Sequence, residues 1–244
     1  MREEIYIDAG NRYIKAASRS EDGVWRELIR SRTDDNKQFW AWLSEQEAAD
    51  IYLCSVVSEI TERFRDQPLL KKDREVQVVT PPSDRLDYET PETLGSDRFF
   101  VCHGAHSLSN GRVVVIDAGS ACTVDFMSAD GCFQGGVILP GLQRIMKAMP
   151  DGLRAFTGGQ AVVPNRWPGK SSDEAIQWGT AGLFQDGLAA SLTRYRDAYG
   201  TFELYLTGGD FKAVSTLLPV GIQYRAVPDL LLEGIWHYFR SQRG

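Results

Sequence analysis

Twice along the chain, an apolar run ends at the residues Ile-Asp-Ala-Gly and is followed by a second strand-like run. The first copy spans residues 5–17, and the second copy spans residues 113–127. A glycine between two strand-like runs predicts a hairpin turn, so each copy is expected to form a β-hairpin. Because one local motif is repeated, the pattern favours two similar half-domains that face each other across a cleft.

The rest of the chain divides into segments with helical or strand-like patterns. Phe39, Trp40 and Leu43, for example, have the spacing of one helical face. Helices are expected at residues 35–49, 59–67, 99–108, 142–149, 172–199 and 229–241, and strands at residues 51–57, 76–80 and 203–206. Residues 87–93 are polar and contain Pro91, so this stretch predicts a loop.

Composition limits the kind of protein. The 244 residues are 43% hydrophobic and 25% charged, which is typical of one or two globular domains with a sizeable core. The net charge of −6 argues against nucleic acid and anionic membrane surfaces as partners. No run approaches the roughly 18 apolar residues of a membrane span. The four cysteines form no disulfide or zinc pattern and the first ten residues carry no signal core, so a cytoplasmic location is expected.

The two Asp-Ala-Gly turns carry residues suited to phosphate chemistry. Asp8 and Asp117 end apolar strands, where a carboxylate adds little stability but can hold a cation or water. Gly10 and Gly119 let the backbone turn tightly, so that amides can approach phosphate oxygens. Phosphoryl transfer needs charge neutralisation and positioning, and one turn from each half would clamp the phosphates of one nucleotide. The alternative is that both are ordinary hairpin turns, in which Asp and Gly are common.

A third strand-like run ends at Thr207-Gly208-Gly209-Asp210. Small residues after a strand allow a flat ligand such as adenine to approach the backbone closely. The same residues also suit a plain turn between a strand and a helix, and both interpretations stay open.

Gly95-Ser96-Asp97-Arg98 follows the predicted loop. A carboxylate such as that of Asp97 can accept the proton of an attacking hydroxyl, and Arg98 can hold an anionic group in fixed geometry. The alternative is that Asp97 caps the helix expected to begin near Phe99.

Taken in order, these motifs resemble those of the type III pantothenate kinases, which belong to the superfamily of sugar kinases, heat-shock ATPases and actin. The resemblance covers nearly the whole chain. The matching stretches are Asp8–Lys15, Tyr88–Arg98, Asp117–Ala121, Gly135–Gly141, Ser172–Gly179 and Thr207–Asp210. Six modest motifs in the right order form a specific signal.

The resemblance implies a fold and a division of the chain. The fold is α/β, with duplicated actin-like, ribonuclease H-like half-domains, each a mixed sheet with flanking helices, around a central cleft. Residues 1–110 would form the half-domain with the ATP phosphate motif, and residues 111–244 the second half-domain.

The resemblance also implies an activity, the ATP-dependent phosphorylation of pantothenate that begins coenzyme A biosynthesis. Asp97 would be the general base, and Mg²⁺ would lie near Asp8. Asp117 would coordinate a monovalent cation, K⁺ or NH₄⁺. ATP would contact Asp8, Ala9, Gly10, Asn11, Arg12, Tyr13, Ile14, Lys15 and Ser120, together with Gly208 and Gly209 of the third motif. Pantothenate would contact Tyr88, Gly95, Ser96, Arg98 and Ser172, the last from the neighbouring subunit of a homodimer.

Three positions depart from the family motifs. Ser120 and Ser172 replace threonines and keep the hydroxyl group. Arg12 replaces a threonine by a long cation, which either contacts a phosphate or turns to solvent. The alternative to an active kinase is a catalytically weak relative that binds nucleotide and acts as a regulatory or accessory protein. The enzyme is favoured by the retention of Asp8, Asp97, Arg98 and Asp117.

Overall fold

The computed structural model describes residues 3–46, 49–66, 75–109, 111–150 and 161–243. The chain forms two compact units. Unit 1 comprises Met1–Ser107 with Asp229–Gly244, and unit 2 comprises Leu108–Pro228. The division expected from the sequence placed all residues after 110 in the second half-domain. In the structure, Asp229–Gly244 belong to unit 1 instead.

Unit 1 is built on a mixed five-stranded sheet with the strand order β3-β2-β1-β4-β5. Strands β1, β2 and β3 form an antiparallel meander, and β4 and β5 add in parallel beside β1. The strands are β1 (Glu3–Ala9), β2 (Tyr13–Arg19), β3 (Trp25–Arg32), β4 (Ala49–Ser55) and β5 (Glu75–Val78). The helices are α1 (Lys37–Glu45), α2 (Ser58–Asp66) and α3 (Ser96–Ser109), with short 3₁₀ turns at Ser83–Arg85 and Pro91–Thr93, and the C-terminal helix described below.

Alternation along β1 buries both faces of this sheet. Ile5 and Ile7 point into a core with the aromatic residues of α1 and with Phe64 of α2. Tyr6 points to the other face, where it stacks on Tyr52 with ring centroids 4.9 Å apart. Strands that pair in parallel are usually covered on both faces of the sheet. Because β1 is held on both faces, the polar residues at its end are attached to a rigid strand.

Unit 2 repeats the same topology, with the strand order β10-β9-β6-β7-β8. The meander again comes first, and two parallel strands again add beside its first strand. The strands are β6 (Val113–Ala118), β7 (Ala121–Met127), β8 (Phe133–Pro140), β9 (Glu203–Thr207) and β10 (Arg225–Ala226). The helices are α4 (Leu142–Ala148), α5 (Ser172–Gln177), α6 (Leu183–Tyr199) and α7 (Phe211–Ser215), and a π-helical turn at Trp178–Gly182 joins α5 to α6.

The final helix, α8 (Leu230–Gln242), crosses α3 within unit 1 at two glycines. A Cβ atom on Gly104 would lie 2.4 Å from the carbonyl oxygen of Leu230, and one on Gly234 would lie 1.8 Å from that of Phe100. The two backbones therefore meet at a distance that only glycine permits. This close crossing explains why the end of the chain packs with unit 1. No helix in the described ranges has the length and apolar character needed to cross a membrane.

The duplicated fold expected from the repeated hairpins is confirmed, because both sheets have the same strand order and pairing. The expected helices and strands are present with shifted ends, although Glu47, Ala48 and Gln67 of the expected helices lie outside the described residues. Three edge strands, β3, β8 and the two-residue β10, were missed. Strand β3 carries four charged residues among eight, and β8 contains a pair of glycines, so neither shows an apolar strand pattern.

Candidate active site

The turn between β1 and β2 is a tight hairpin whose tip faces solvent. The Gly10 N–H donates to the Tyr13 carbonyl at 3.0 Å, and Ala9 pairs with Ile14 as the last strand pair. Asn11 and Arg12 lie at the tip and are exposed. The expected hairpin is therefore present, and Arg12 stands where it can meet solvent or a ligand.

Asp8 ends β1 beside a lysine. Its partners across the strands are Lys15 on β2 and Cys54 on β4, and residues paired in this way project from the same face. Burial raises the pKa of Asp8 to about 6, Lys15 opposes that rise, and the carboxylate of Asp97 adds to it. The Lys15 ammonium lies 3.5 Å from a carboxylate oxygen of Asp229. Asp8 is thus a desolvated carboxylate, which a bound cation would stabilise.

Arg30 is a further cation at this site that the sequence interpretation missed. It pairs with Lys15 across β2 and β3, so Asp8, Lys15 and Arg30 lie in one row across three strands. The Arg30 Nη2 lies 2.6 Å from Glu27 Oε2 in an ion pair, and the guanidinium carbon lies 5.8 Å from the ring centroid of Tyr13. An irregularity in the β2–β3 register puts Glu27 and Arg30, three residues apart, on one side. Identification of β3 from sequence would have been needed to find it.

Asp97 lies in the first turn of α3, which begins at Ser96 rather than near Phe99. Its Oδ1 accepts a hydrogen bond from the Arg98 N–H at 2.8 Å. Burial raises the pKa of Asp97, and this hydrogen bond and the charge of Arg98 lower it in part. The alternative that Asp97 is the N-cap of a helix beginning near Phe99 is therefore wrong, since the residue lies inside the helix.

Gly95 makes room for the Asp97 carboxylate. A Cβ atom at position 95 would lie 2.6 Å from Asp97 Oδ1. Gly95 and Ser96 also line a cavity of about 540 Å³ in unit 1, together with Ser55, Ser58 and Arg65. The glycine of this motif therefore positions the carboxylate and forms part of a cavity wall.

Arg98 and Tyr88 lie together, as expected of two residues of one binding site. The Arg98 side chain is buried, and its Nη1 donates to the Tyr88 hydroxyl at 3.4 Å. The guanidinium carbon lies 5.8 Å from the centroid of the Tyr88 ring. A buried guanidinium next to a phenol can bind a carboxylate or phosphate in fixed geometry.

In unit 2, Asp117 has hydroxyl neighbours instead of a lysine. Its strand partners are Thr123 on β7 and Thr207 on β9. The Thr207 hydroxyl donates to the Pro228 carbonyl at 3.3 Å, whereas the Thr123 hydroxyl is buried without a hydrogen-bond partner in the described part of the chain. An orphaned buried hydroxyl next to a carboxylate is an arrangement that suits a cation.

Glycines at two positions allow neighbouring backbone to pack closely against the second turn. A Cβ atom on Gly208, whose φ is +90°, would lie 2.4 Å from Asp117 Oδ1. One on Gly141 would lie 2.7 Å from the Ser120 carbonyl. A Cβ atom on Gly209, in contrast, would have no atom within 4 Å. The backbone of Gly209 therefore faces open space, and a ligand can approach it. The Asp210 N–H donates to the Ala118 carbonyl at 2.8 Å and ties the third motif to the end of β6.

Ser172 begins α5 and is exposed, while its neighbour Ser171 caps the helix by accepting a hydrogen bond from the Glu174 N–H. The hydroxyl of Ser172 is therefore not used in capping. Within the described ranges, no three histidine, cysteine, aspartate or glutamate side chains are grouped to hold a metal ion.

The sequence and fold were compared with those of known proteins. A model of the family described as type III pantothenate kinase matches residues 4–190. The type III pantothenate kinase of Azotobacter vinelandii is 34% identical over 251 aligned positions, covering 95% of this chain and 96% of the relative.

Two solved structures show the same fold at low identity. A putative 2-dehydro-3-deoxygalactonokinase from Sinorhizobium meliloti has a TM-score of 0.60 at 13% identity, covering 99% of both chains. The archaeal actin homologue Ta0583 has a TM-score of 0.50 at 13% identity, covering 98% of this chain and 99% of the homologue. The fold is therefore the duplicated actin-like one, and the chain belongs to the type III pantothenate kinase family.

Proposed function

We propose that this protein transfers the γ-phosphoryl group of ATP to the hydroxyl of pantothenate, giving 4'-phosphopantothenate in the first step of coenzyme A biosynthesis. The observation that carries this proposal is the setting of Asp97. Its carboxylate is desolvated, has a raised pKa, and lies next to the buried Arg98, which contacts Tyr88. A base and an anion-binding guanidinium thus lie together on α3, and a phenol lies beside the guanidinium.

Asp97 acts as the general base. A carboxylate whose pKa is raised by burial accepts a proton more readily than an ordinary one. Gly95 leaves the space in which this carboxylate sits. Arg98, Tyr88, Gly95 and Ser96 bind pantothenate, and the buried guanidinium of Arg98 fixes the orientation of the substrate.

ATP phosphates bind at the first hairpin, Asp8–Lys15, where Lys15 supplies positive charge. The residues there fit Mg²⁺, because Asp8 is a desolvated carboxylate at the end of β1. When bound, Mg²⁺ neutralises phosphate charge in the transition state. Asp8 would hold the ion, Lys15 neutralises phosphate charge, and the turn backbone positions the phosphates. Ser120, Gly208 and the open backbone of Gly209 contact the rest of ATP.

The residues around Asp117 fit a monovalent cation such as K⁺ or NH₄⁺. One carboxylate and hydroxyl oxygens match the oxygen ligands and low charge requirement of such an ion. The unpartnered Thr123 hydroxyl supports this assignment, because it lacks the partner that buried hydroxyls normally have. The cation adds positive charge near an anionic transition state.

The protein acts as a homodimer, and Ser172 reaches pantothenate in the neighbouring subunit. Unit 2 exposes apolar residues that support this proposal. Val137 and Ile138 lie on the edge strand β8, and Leu183 begins α6, with exposed fractions of 41%, 60% and 62%. Exposed apolar residues on an edge strand are typical of a protein interface.

The proposed location is the cytoplasm. The four cysteines are free, and Cys54, Cys102 and Cys122 are buried. Burial raises the pKa of the Cys54 thiol well above its ordinary value and that of Cys122 to about 12. These thiols are therefore stable in a reducing compartment and need no disulfide for the fold.

The experiment is an assay of ADP release with ATP, pantothenate and Mg²⁺, with and without K⁺ or NH₄⁺. Turnover that needs both substrates and rises with the monovalent ion is expected. A folded protein that binds ATP without turnover under any of these ions contradicts the proposal and favours a regulatory nucleotide-binding role.

The variant Asp97→Asn tests the role of the base. It is expected to lower kcat by about 10²- to 10⁴-fold with little change in the Kd for ATP, because the amide cannot accept the proton. Asp84→Asn is the matched control, since Asp84 is an exposed acid on the 3₁₀ turn Ser83–Arg85. Unchanged phosphorylation by Asp97→Asn would remove Asp97 from this role.

A further inference from the structure

Thr33, which directly follows β3, contacts the phosphate hairpin from outside its motif. Its hydroxyl donates to the Gly10 carbonyl at 2.6 Å, and its backbone N–H donates to the Arg12 carbonyl at 3.0 Å. Gly10 and Arg12 thus both have their carbonyl oxygens bound to one residue that lies 23 positions after Gly10 in the sequence. In the equivalent turn of unit 2, the Gly141 N–H donates to the Ser120 carbonyl at 3.2 Å, but glycine has no hydroxyl to make the second bond.

A hydrogen-bonded chain connects Thr33 to the core of unit 1. The Thr33 carbonyl accepts from the Asn36 side-chain amide at 2.8 Å. The Asn36 oxygen in turn accepts from the indole N–H of Trp40 at 3.0 Å. Trp40 is buried in the core with an exposed fraction of 7%. The position of Thr33 is therefore fixed by a residue of the rigid core and not by the hairpin itself.

The Thr33 bonds leave amides of the turn available. With the Gly10 carbonyl bound to the Thr33 hydroxyl, the hairpin is closed by a single bond from the Gly10 N–H to the Tyr13 carbonyl. Among the described residues, the N–H groups of Asn11 and Arg12 donate to no protein acceptor. Free amides held on a rigid turn form the kind of concave site that binds phosphate oxygens.

We propose that Thr33 is a positioning residue for ATP, which holds the carbonyls of Gly10 and Arg12 so that the free amides of the turn meet the phosphates. Thr33 itself need not touch the nucleotide. The proposal rests on the proposed function of the hairpin as the phosphate site. It extends that function by assigning the rigidity of the turn to the chain Thr33, Asn36 and Trp40.

The test compares Thr33→Val with Thr33→Ser. Valine has the shape of threonine without its hydroxyl, so Thr33→Val is expected to raise the KM for ATP about tenfold, the effect of one well-formed hydrogen bond. The KM for pantothenate should stay within about twofold of the wild-type value, because Thr33 is not among the residues proposed to bind pantothenate. Thr33→Ser restores the hydroxyl and is expected to return the KM for ATP to near the wild-type value.

A matched control is Thr216→Val, which removes a threonine hydroxyl bonded to the Ala213 carbonyl at 2.8 Å in unit 2. It should leave both KM values unchanged. If Thr33→Val fails to fold, Asn36→Ala replaces it, because this change removes the next link and should raise the KM for ATP severalfold. A folded Thr33→Val protein with an unchanged KM for ATP, or with equal rises in both KM values, overturns the proposal.

Direct binding separates this proposal from the proposed function. The Kd of MgATP is measured by calorimetry for the wild type and both Thr33 variants. If the wild type binds MgATP without phosphorylating pantothenate, the proposed function fails, while a higher Kd in Thr33→Val alone still supports the positioning role. If the wild type does not bind MgATP, both are overturned.

Discussion

In unit 1, the aspartate at the end of the central strand lies beside a lysine, whereas in unit 2 the equivalent aspartate lies between two threonines. The backbones are alike: both strands are first in an antiparallel meander, and each Asp-Ala-Gly turn is closed by a bond from the glycine N–H. The cross-strand neighbours differ, with Lys15 and Cys54 around Asp8 and Thr123 and Thr207 around Asp117.

This difference fits the two roles proposed for the motif, in which the first turn binds phosphates with Mg²⁺ and the second binds a monovalent cation. Around Asp8, the ammonium of Lys15 and the guanidinium of Arg30 provide cations that suit an anion such as phosphate. Around Asp117, hydroxyl oxygens provide ligands that suit a cation. The burial that raises the pKa of the nearby Cys122 thiol is reinforced by the charges of Asp117, Asp125 and Asp210, in keeping with a negative environment there. A duplicated backbone thus acquires its chemistry from the residue one strand away.

The largest effect is expected when the first hairpin is given the neighbour of the second. Lys15→Thr removes the ammonium beside Asp8 and is expected to lower kcat/KM for ATP by about 100-fold or more, as for other lost transition-state donors. Steady-state kinetics with varied ATP and varied pantothenate provide the measurement. Lys37→Thr, at an exposed position of α1, is the control. A less than threefold change in Lys15→Thr would break the comparison, because the lysine would then not serve phosphate.

Packing against Asp117 provides the next test. Gly208→Ala places a Cβ atom 2.4 Å from Asp117 Oδ1 at a φ of +90°, and is expected to cost about 2 kcal/mol of unfolding free energy and most of the activity. Gly209→Ala, with no atom within 4 Å of its Cβ position, is expected to keep its stability within about 0.5 kcal/mol. Urea denaturation of both variants provides the measurement. Equal stability of the two would show that the second turn can relax around Asp117.

The sequence was sufficient for the duplication and for the ends of the central strands. Buried strands β1 and β6 are continuous apolar runs that end in Asp-Ala-Gly, so both their place and their polar termini can be seen in the residues. The residues also offered Asp97 as a candidate base, the resemblance favoured that role over a helix cap, and its carboxylate is desolvated. Roles that depend on atoms of a bound ligand remain predictions.

The neighbours that distinguish the two hairpins could not be predicted in the same way. Arg30 lies on β3, and Thr33 directly follows this strand. Because β3 is a polar edge strand, it cannot be identified from the periodicity of apolar residues. Asp229 meets Lys15 only because α8 returns to unit 1, a contact between residues 214 positions apart. Such contacts depend on strand pairing and helix packing across the chain, which no local pattern encodes.

A moderate effect is expected from Thr123→Val in unit 2. The change removes the unpartnered hydroxyl next to Asp117 and should raise the concentration of K⁺ needed for half-maximal activity by about tenfold, the cost of one lost ligand or hydrogen bond. Maximal velocity at saturating K⁺ should change little. Thr207→Val is the contrast, since the Thr207 hydroxyl already donates to the Pro228 carbonyl and should affect stability more than K⁺ dependence. Equal K⁺ dependence in all three proteins would contradict the cation assignment.

The smallest effect concerns the stability of the metal- and nucleotide-free protein. Because burial raises the pKa of Asp8 from 3.8 to about 6, the folded state binds a proton more tightly than the unfolded state, and stability falls as pH rises from about 4 to about 6. Asp8→Asn removes this dependence and should stabilise the protein by about 1 kcal/mol or more at pH 7.5, because the raised pKa already includes the attraction to Lys15. Thermal unfolding with a chelator at pH 5 and pH 7.5 provides the measurement. A gain in Tm at pH 7.5 that shrinks at pH 5 is expected, and a loss at both values would mean that Lys15 and Arg30 outweigh burial in the first hairpin.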